Sequence, residues 1–201
     1  MRSGGHALAA TGLCMLLIAG CGQLPPRPTP AEASVPGSAT AWTDWELRGR
    51  IAVRAGEEGW HASLAWRQIG EDFQLDISGP LGQGALRLHG DANGVGLERA
   101  DGLRDRAPDA DVLLMRHTGW ALPVSGLRFW VQGLAVPGRA AEWERAADGR
   151  PLRLRQDGWD IRYTDYLEQT GQHPRPRRIE LERGGLTARL LIDSWVPIPP
   201  G

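Results

Sequence analysis

The sequence predicts a mainly β domain with a few helices, in which one strongly curved antiparallel sheet carries two short helices across its concave side. Apolar and polar residues alternate through many segments, which is typical of half-buried strands. Glycine-rich turns separate these segments, and Asp148-Gly149 and Asp157-Gly158 are hairpin signals. The pattern gives about ten or eleven strands, and a sheet of that width curls rather than lying flat.

A signal segment precedes this domain. Arg2 is followed by a mostly apolar stretch, residues 8–18, and then by small residues, which is the pattern of a secretory leader. The stretch is too short to span a bilayer, which takes about 20 apolar residues. Its end, Leu17-Ile18-Ala19-Gly20-Cys21, resembles a bacterial lipobox, in which the cysteine is acylated. We therefore predict a lipoprotein signal peptide over residues 1–20 and lipidation of Cys21.

Residues 21–41 are predicted to be the lipidated cysteine and a proline-rich tether. They hold five prolines among small residues and lack the apolar periodicity needed to bury a core. Gly22, rather than an aspartate, follows the cysteine, and by analogy with Gram-negative lipoproteins this favours the outer membrane over the inner one. The predicted location is therefore the outer membrane, with a lipid anchor, facing the periplasm.

The globular domain is predicted over residues 42–201, and it begins as an antiparallel meander. Strands are predicted near residues 45–54, 60–67, 72–78, 85–88 and 95–98. The period then changes: Asp109 is a suitable N-cap for a helix that Gly119 ends, and a second helix follows over residues 124–131. Strands resume near residues 141–147, 152–154, 159–163, 179–183 and 186–195, with a looser, proline-containing segment over residues 168–176.

The connection between the third and fourth strands, residues 78–84, is rich in glycine and proline. Pro80 has no backbone donor and the glycines have no side chains, so this segment should leave the sheet. Leu81 then lies at its tip. Two conformations stay open from this stretch alone: Leu81 folds back onto the end of the sheet, or it is presented to a membrane, a lipid or a partner.

The apolar faces of the sheet and helices also admit two interpretations. They fill a solid core, or they line a cavity of the kind that barrel-like sheets of about eight or more strands can hold. Periodicity alone favours the solid core.

Composition and motifs exclude several classes of function. The formal charge of −1 offers no basic face for nucleic acid. All 23 basic residues are arginine, which excludes mechanisms that need a lysine Schiff base or a P-loop lysine. The histidines lack metal-ligand spacing, and the sequence has no nucleophile elbow or dinucleotide fingerprint. We therefore predict no catalytic residue, no metal, no cofactor and no enzymatic activity.

Several short stretches follow one another in a specific order along the domain. They are Trp45-x-Leu47-x-Gly49-Arg50-Ile51, Gly59-Trp60-x-Ala62-x-Leu64-x-Trp66, Gly79-Pro80-Leu81-Gly82, Leu122-Pro123-Val124, Trp130-Val131-x-Gly133, Gln156-x-Gly158-Trp159-x-Ile161-x-Tyr163 and the terminal Trp195. Together with the lipobox, they resemble the LolB family of outer-membrane lipoprotein receptors. The resemblance covers residues 42–196, which is nearly the whole predicted domain.

This resemblance implies an unclosed antiparallel β-barrel with a helical lid over a hydrophobic cavity, a LolA/LolB-like fold. It also implies a monomeric receptor that accepts acylated lipoproteins from a LolA-like periplasmic carrier and inserts them into outer-membrane lipid. Residues expected to line the cavity are Trp60, Leu64, Trp66, Leu75, Ile77, Leu127 and Trp130. The expected membrane-insertion loop consists of Gly79, Pro80, Leu81 and Gly82, with Leu81 as the inserting side chain.

Two other classes of protein stay compatible with the residues themselves. One is a lipid-anchored, lipocalin-like binder of another hydrophobic ligand. The other is a structural envelope lipoprotein with a solid core. Uptake of an acylated protein from a loaded carrier separates both from the receptor.

Overall fold

The computed structural model describes residues 41–168 and 174–199. The strands are β1 (Asp44–Ala55), β2 (Glu58–Ile69), β3 (Asp72–Ser78), β4 (Leu86–Asp91), β5 (Gly94–Arg99), β6 (Arg104–Ala107), β7 (Glu142–Arg145), β8 (Pro151–Gln156), β9 (Trp159–Leu167), β10 (Arg175–Arg183) and β11 (Leu186–Pro197). The helices are α1 (Ala110–Thr118) and α2 (Val124–Trp130), and a 3-10 turn spans Pro80–Gly82. The predicted signal peptide, Cys21 and nearly all of the tether lie outside the described residues.

All of these strands belong to one antiparallel sheet in the order β6-β5-β4-β3-β2-β1-β11-β10-β9-β8-β7. The first and last strands of the chain meet at the centre of the sheet, where Trp45 pairs with Pro197 and Ala55 pairs with Leu186. β6 and β7 are its two edges, and the segment that joins them carries both helices. The sheet is therefore an unclosed antiparallel barrel with helical elements, as the sequence predicts.

The centre of the sheet contains a bulge that needs a glycine. The register of β1 and β11 shifts between Arg48 and Gly49, which leaves Asp193 of β11 without an opposite residue on β1. A Cβ on Gly49 would lie only 2.4 Å from the carbonyl oxygen of Leu191. Because a bulge bends a strand and increases its twist, Gly49 allows the sheet to curve at this point.

The two helices begin and end close to where the sequence predicts. The Asp109 carboxylate accepts a hydrogen bond from the Val112 amide at 2.9 Å, so it is the N-cap of α1. Gly119 adopts a left-handed conformation (φ 75°) and ends that helix. No helix within residues 41–168 and 174–199 combines the length and the apolar character that a membrane crossing needs.

The buried apolar side chains of sheet and helices form one continuous cluster. Alternate residues along β1 and β2 point into it, which agrees with the predicted period of two. Two elements differ from the sequence prediction. β6 was missed because Arg104–Ala107 has no apolar alternation, and β10 begins at Arg175, inside the segment predicted to be loose. Arg175 and Pro176 are both buried, which the sequence pattern does not indicate.

Candidate functional site

The residues predicted to line an interior lie largely on one face of the sheet. Within the buried cluster are Leu64, Trp66, Leu75, Ile77, Leu127 and Trp130, whereas Trp60 is partly buried and packs against it. Leu64 lies opposite Ile77 and Trp66 lies opposite Leu75 in the β2–β3 register, so these four share one patch of the inner face. The interior is therefore apolar, and α2 contributes Leu127 and Trp130 to it.

Buried hydrogen bonds hold the C-terminal end of α2. Trp130 Nε1 donates to Gln156 Oε1 at 2.9 Å, and the Tyr163 hydroxyl donates to the Trp130 carbonyl oxygen at 3.1 Å. Burial raises the pKa of Tyr163, which keeps this hydroxyl protonated as a donor. Leaving one buried partner unpaired costs about 1–3 kcal/mol. This end of the helical segment is therefore firmly attached.

Further contacts attach the same end to the start of the domain. Gln132 Oε1 accepts a hydrogen bond from the Trp42 amide at 2.8 Å, and Gln132 Nε2 donates to the Trp42 carbonyl oxygen at 3.3 Å. The Arg175 guanidinium lies 3.9 Å from the centroid of the Trp42 ring, and burial lowers the pKa of Arg175 to about 10. Arg128 also makes two hydrogen bonds of 2.8 Å with the carboxylate of Glu71, in the β2–β3 turn.

Charged groups near the surface hold α1 to the edge strand β6. Asp105 Oδ2 accepts a hydrogen bond from Arg116 Nη1 at 2.6 Å and lies 2.8 Å from His117 Nε2. The hydrogen bonds from His117 and Arg116 lower the pKa of Asp105 to about 2. The contact with Arg116 is exposed and the contact with His117 is partly buried, and exposed ion pairs contribute little to stability. The buried side chains of Leu113 and Leu114 attach the middle of α1 to the core, whereas its C-terminal end, with Met115 exposed, is held less firmly than the C-terminal end of α2.

The loop predicted to contact a membrane projects one leucine into solvent. Leu81 is 99% exposed, and its backbone is left-handed, with φ 57° and ψ 23°. The loop closes on itself, because the Gly82 amide donates to the Gly79 carbonyl at 3.1 Å and the Gly79 amide donates to the Gln83 carbonyl at 3.0 Å. Of the two conformations that the sequence leaves open, the structure has the presented one.

An opening of about 460 Å³ lies where the end of α1 meets the turns at the same end of the sheet as this loop. Its lining residues are Ala55, Gly56, Met115, Gly119, Trp120, Ala121, Trp159, Arg183, Gly184, Gly185 and Leu186. Met115 is 52% exposed, and Trp120 is half-buried. The Trp120 ring lies 5.3 Å from that of Trp60, and a Cβ on Gly79 would lie 4.0 Å from Trp60 Nε1, so Trp60 connects the opening to the loop.

Sequence reasoning missed Trp120 and the hydrogen-bonding role of Gln156. Trp120 stands in the irregular link between the helices, where no period marks it. Its contact with Trp60 depends on how the helical segment folds back across the sheet. The sequence gives one signal for Trp120: it is a large aromatic residue that directly follows Gly119 in the short link between the helices.

The described residues offer apolar surface rather than reactive groups. Among them, no cluster of three or more histidine, cysteine or acidic side chains has the arrangement to hold a metal ion. Asp105, Tyr163 and Arg175, whose pKa values are shifted, each make a hydrogen bond to a neighbouring element of the fold. This arrangement is suited to sheltering an apolar ligand and to presenting an apolar side chain.

Comparison with known proteins places the chain in a family. The family described as "Outer membrane lipoprotein LolB" matches residues 43–195. The outer-membrane lipoprotein LolB of Alkalilimnicola ehrlichii is 39% identical over 203 residues, covering 99% of this chain and 100% of that protein. The corresponding protein of Nitrosococcus oceani is 42% identical over 153 residues, which are 76% of each chain.

A solved structure shows the same fold at low sequence identity. A LolA superfamily protein from Nitrosomonas europaea aligns with a TM-score of 0.52 at 10% identity, over 82% of this chain and 90% of that one. The resemblance noted in the sequence is therefore confirmed along nearly its whole length. The chain belongs to the outer-membrane lipoprotein LolB family.

Proposed function

We propose that this protein accepts lipoproteins from a LolA-like periplasmic carrier, shelters their acyl chains between the sheet and the helices, and delivers them to the outer membrane, where its own lipid anchor at Cys21 holds it. The observation that carries this proposal is the conformation of Leu81, a fully exposed leucine on a left-handed backbone. Membership of the LolB family and the apolar interior support the rest.

Leu81 does not contribute to the stability of the domain. Its side chain is 99% exposed, and a left-handed conformation costs a residue other than glycine about 1–2 kcal/mol. An exposed apolar side chain on a strained backbone indicates a function. A bilayer supplies the apolar environment that Leu81 lacks in water, so membrane insertion explains both features.

The acyl chains need the interior because each methylene exposed to water costs about 0.8 kcal/mol. Buried apolar side chains of the sheet and helices are in contact across the described interior, so the chains enter by displacing part of the helical segment. Displacement is easier at the C-terminal end of α1, where Met115 is 52% exposed, than at the C-terminal end of α2, which buried hydrogen bonds hold. The opening beside Met115 and Trp120 is the corresponding entrance. Transfer is downhill if the carrier, this protein and the membrane bind the chains with increasing affinity.

A transfer assay tests the proposal. The chain from Gly22 onward keeps every described strand and helix, and it is mixed first with a LolA-like carrier loaded with an acylated lipoprotein and then with liposomes. We expect uptake from the carrier followed by release to the liposomes. Leu81→Glu should leave uptake unchanged and abolish release, because a carboxylate does not enter a bilayer. Leu152→Glu, at another exposed leucine, is the matched control and should leave both uptake and release unchanged.

The outcomes separate the receptor from its alternatives. Failure of the unaltered chain to take up lipoprotein, while it still binds an environment-sensitive apolar dye, would indicate a lipocalin-like binder instead. Failure of both would indicate a structural lipoprotein with a solid core. Normal release by Leu81→Glu would contradict only the proposed role of the loop and would leave the receptor function standing.

A further inference from the structure

A groove of about 690 Å³ crosses the outer face of the sheet, opposite to the face that packs against the helices. Five neighbouring strands contribute to it. Its lining residues are Arg50, Ile51, Ala52, His61, Ala62, Ser63, Pro80, Thr164, Arg178, Ile179, Glu180, Arg189, Leu190 and Leu191. Pro80 belongs to the loop that presents Leu81, so the groove and the loop are continuous.

Irregular strand pairing accounts for the concave shape of this part of the outer face. The bulge at Asp193 on β11 lies opposite Gly49, next to Arg50, and the register of β9 and β10 shifts on both sides of Arg178. Since bulges bend strands and re-aim side chains, two of them at nearly the same level fold the outer face into a groove.

The charges that line the groove are mainly positive. Arg50, Arg178 and Arg189 face one carboxylate among the lining residues, Glu180. Arg189 lies 3.3 Å from Glu180, and Arg50 lies 3.0 Å from Asp193 outside the groove. The side chain of Arg178 is exposed and makes no hydrogen bond or ion pair within the part of the chain that the structure describes. Its guanidinium is therefore available to a ligand from solution.

We propose that this groove docks the phosphate groups of anionic phospholipid headgroups in the membrane that receives the cargo. This inference rests on the proposed insertion of Leu81. When Leu81 enters the acyl layer, the adjacent Pro80 and the groove behind it come to the level of the headgroups. Guanidinium groups bind phosphate through paired N–H donors, and a basic residue near an anionic membrane surface contributes about 1 kcal/mol. Leu81 then supplies the apolar contact and Arg178 the polar one.

Binding to vesicles tests this division of labour. The chain from Gly22 onward, which lacks the acylated cysteine, is floated with vesicles of phosphatidylcholine alone or of phosphatidylcholine mixed with phosphatidylglycerol. We expect Arg178→Gln to weaken binding to the mixed vesicles about fivefold, the effect of one basic residue at an anionic surface, and to leave binding to phosphatidylcholine unchanged. The difference should shrink as salt rises. Arg104→Gln, an exposed arginine on the edge strand β6, is the matched control and should have little effect.

Several results would overturn the headgroup site. An equal loss in Arg104→Gln would mean that total charge, and not the groove, governs binding. An unchanged Arg178→Gln variant on both vesicles would mean that the groove binds no phospholipid. Impaired uptake from the carrier with normal vesicle binding would make the groove a carrier-docking surface instead. The loop is tested separately by Leu81→Glu, which should lose binding to both kinds of vesicle. If lipoprotein transfer failed while Arg178→Gln still weakened binding to the mixed vesicles, only the proposed function would be contradicted.

Discussion

The two ends of this barrel are built differently. At the end where the domain begins, which we call the tether end, buried indoles pack together: the Trp45 ring lies 5.4 Å from that of Trp66 and 5.1 Å from that of Trp195. Two hydrogen bonds between Gln132 and Trp42 also hold the helical segment there. At the other end, which we call the loop end, Trp60 and Trp120 are half-buried and Leu81 is fully exposed.

The two ends differ in how their side chains are buried. The tether end contains fully buried aromatic rings and neutral hydrogen bonds, which are costly to break. At the loop end, the buried side chains of Leu113, Leu114 and Trp159 border side chains that are partly or fully exposed, Met115, Trp120 and Leu81. We propose that the helical segment opens at the loop end, where Met115 is exposed and Trp120 is half-buried. Under the function proposed above, the acyl chains enter and leave beside Leu81.

The largest effect on stability is expected at the tether end, from Trp45→Ala. Trp45 is 0% exposed, and removing a buried tryptophan side chain costs about 3–5 kcal/mol of unfolding free energy. Urea unfolding followed by circular dichroism measures it. Trp45→Phe is the control: the indole N–H has no hydrogen-bond partner among the described residues, so only part of the packing is lost. Losses of equal size in the two variants would contradict this account.

A smaller loss of stability, with a larger effect on uptake, is expected from Trp120→Ala at the loop end. Trp120 is only half-buried, so truncation should cost about 1 kcal/mol of unfolding free energy. It also removes the contact with Trp60 at the entrance, and we expect lipoprotein uptake from a loaded carrier to fall severalfold. Trp143→Ala, at a half-buried tryptophan on the edge strand β7, is the matched control. If it reduced uptake equally, the entrance would lie elsewhere.

The contacts of Asp105 with α1 should make the stability of the domain depend on pH in the acid range. Its contacts with His117 and Arg116 lower its pKa from 3.8 to about 2. The stability that these contacts provide is therefore fully present above about pH 4 and is lost as the pH falls through about 2. Asp105→Asn should remove that part of the acid dependence and speed uptake at neutral pH. Urea unfolding between about pH 2 and pH 7 measures the first effect.

The neighbouring strand offers a control for this acid dependence. Glu98→Gln removes an exposed ion pair with Arg104, 3.1 Å long, that does not involve α1. It should leave both the acid dependence and the uptake rate unchanged. An Asp105→Asn variant with the same acid transition as the unaltered chain would show that Asp105 does not attach α1.

The sequence was informative wherever a local pattern determines the outcome. Alternation placed Leu64, Trp66, Leu75 and Ile77 on one strand face, and Asp109 marked the start of α1. Contacts between distant segments could not be predicted, because no period connects Trp120 to Trp60. The edge strand β6 was missed for a related reason: an edge strand with polar side chains lacks the buried face that produces alternation.

The smallest change in stability is expected from Leu81→Asn, and it bears most directly on the difference between the ends. Asparagine tolerates the left-handed backbone better than leucine does, and the side chain at this position packs against nothing. We therefore expect the unfolding free energy to stay the same or to rise by up to about 1 kcal/mol, while delivery to liposomes falls. The urea midpoint and the transfer assay measure the two effects. A clear loss of stability would mean that Leu81 packs in the folded protein. A gain in stability with a loss of delivery would show that the loop end keeps a strained leucine because the membrane contact requires it.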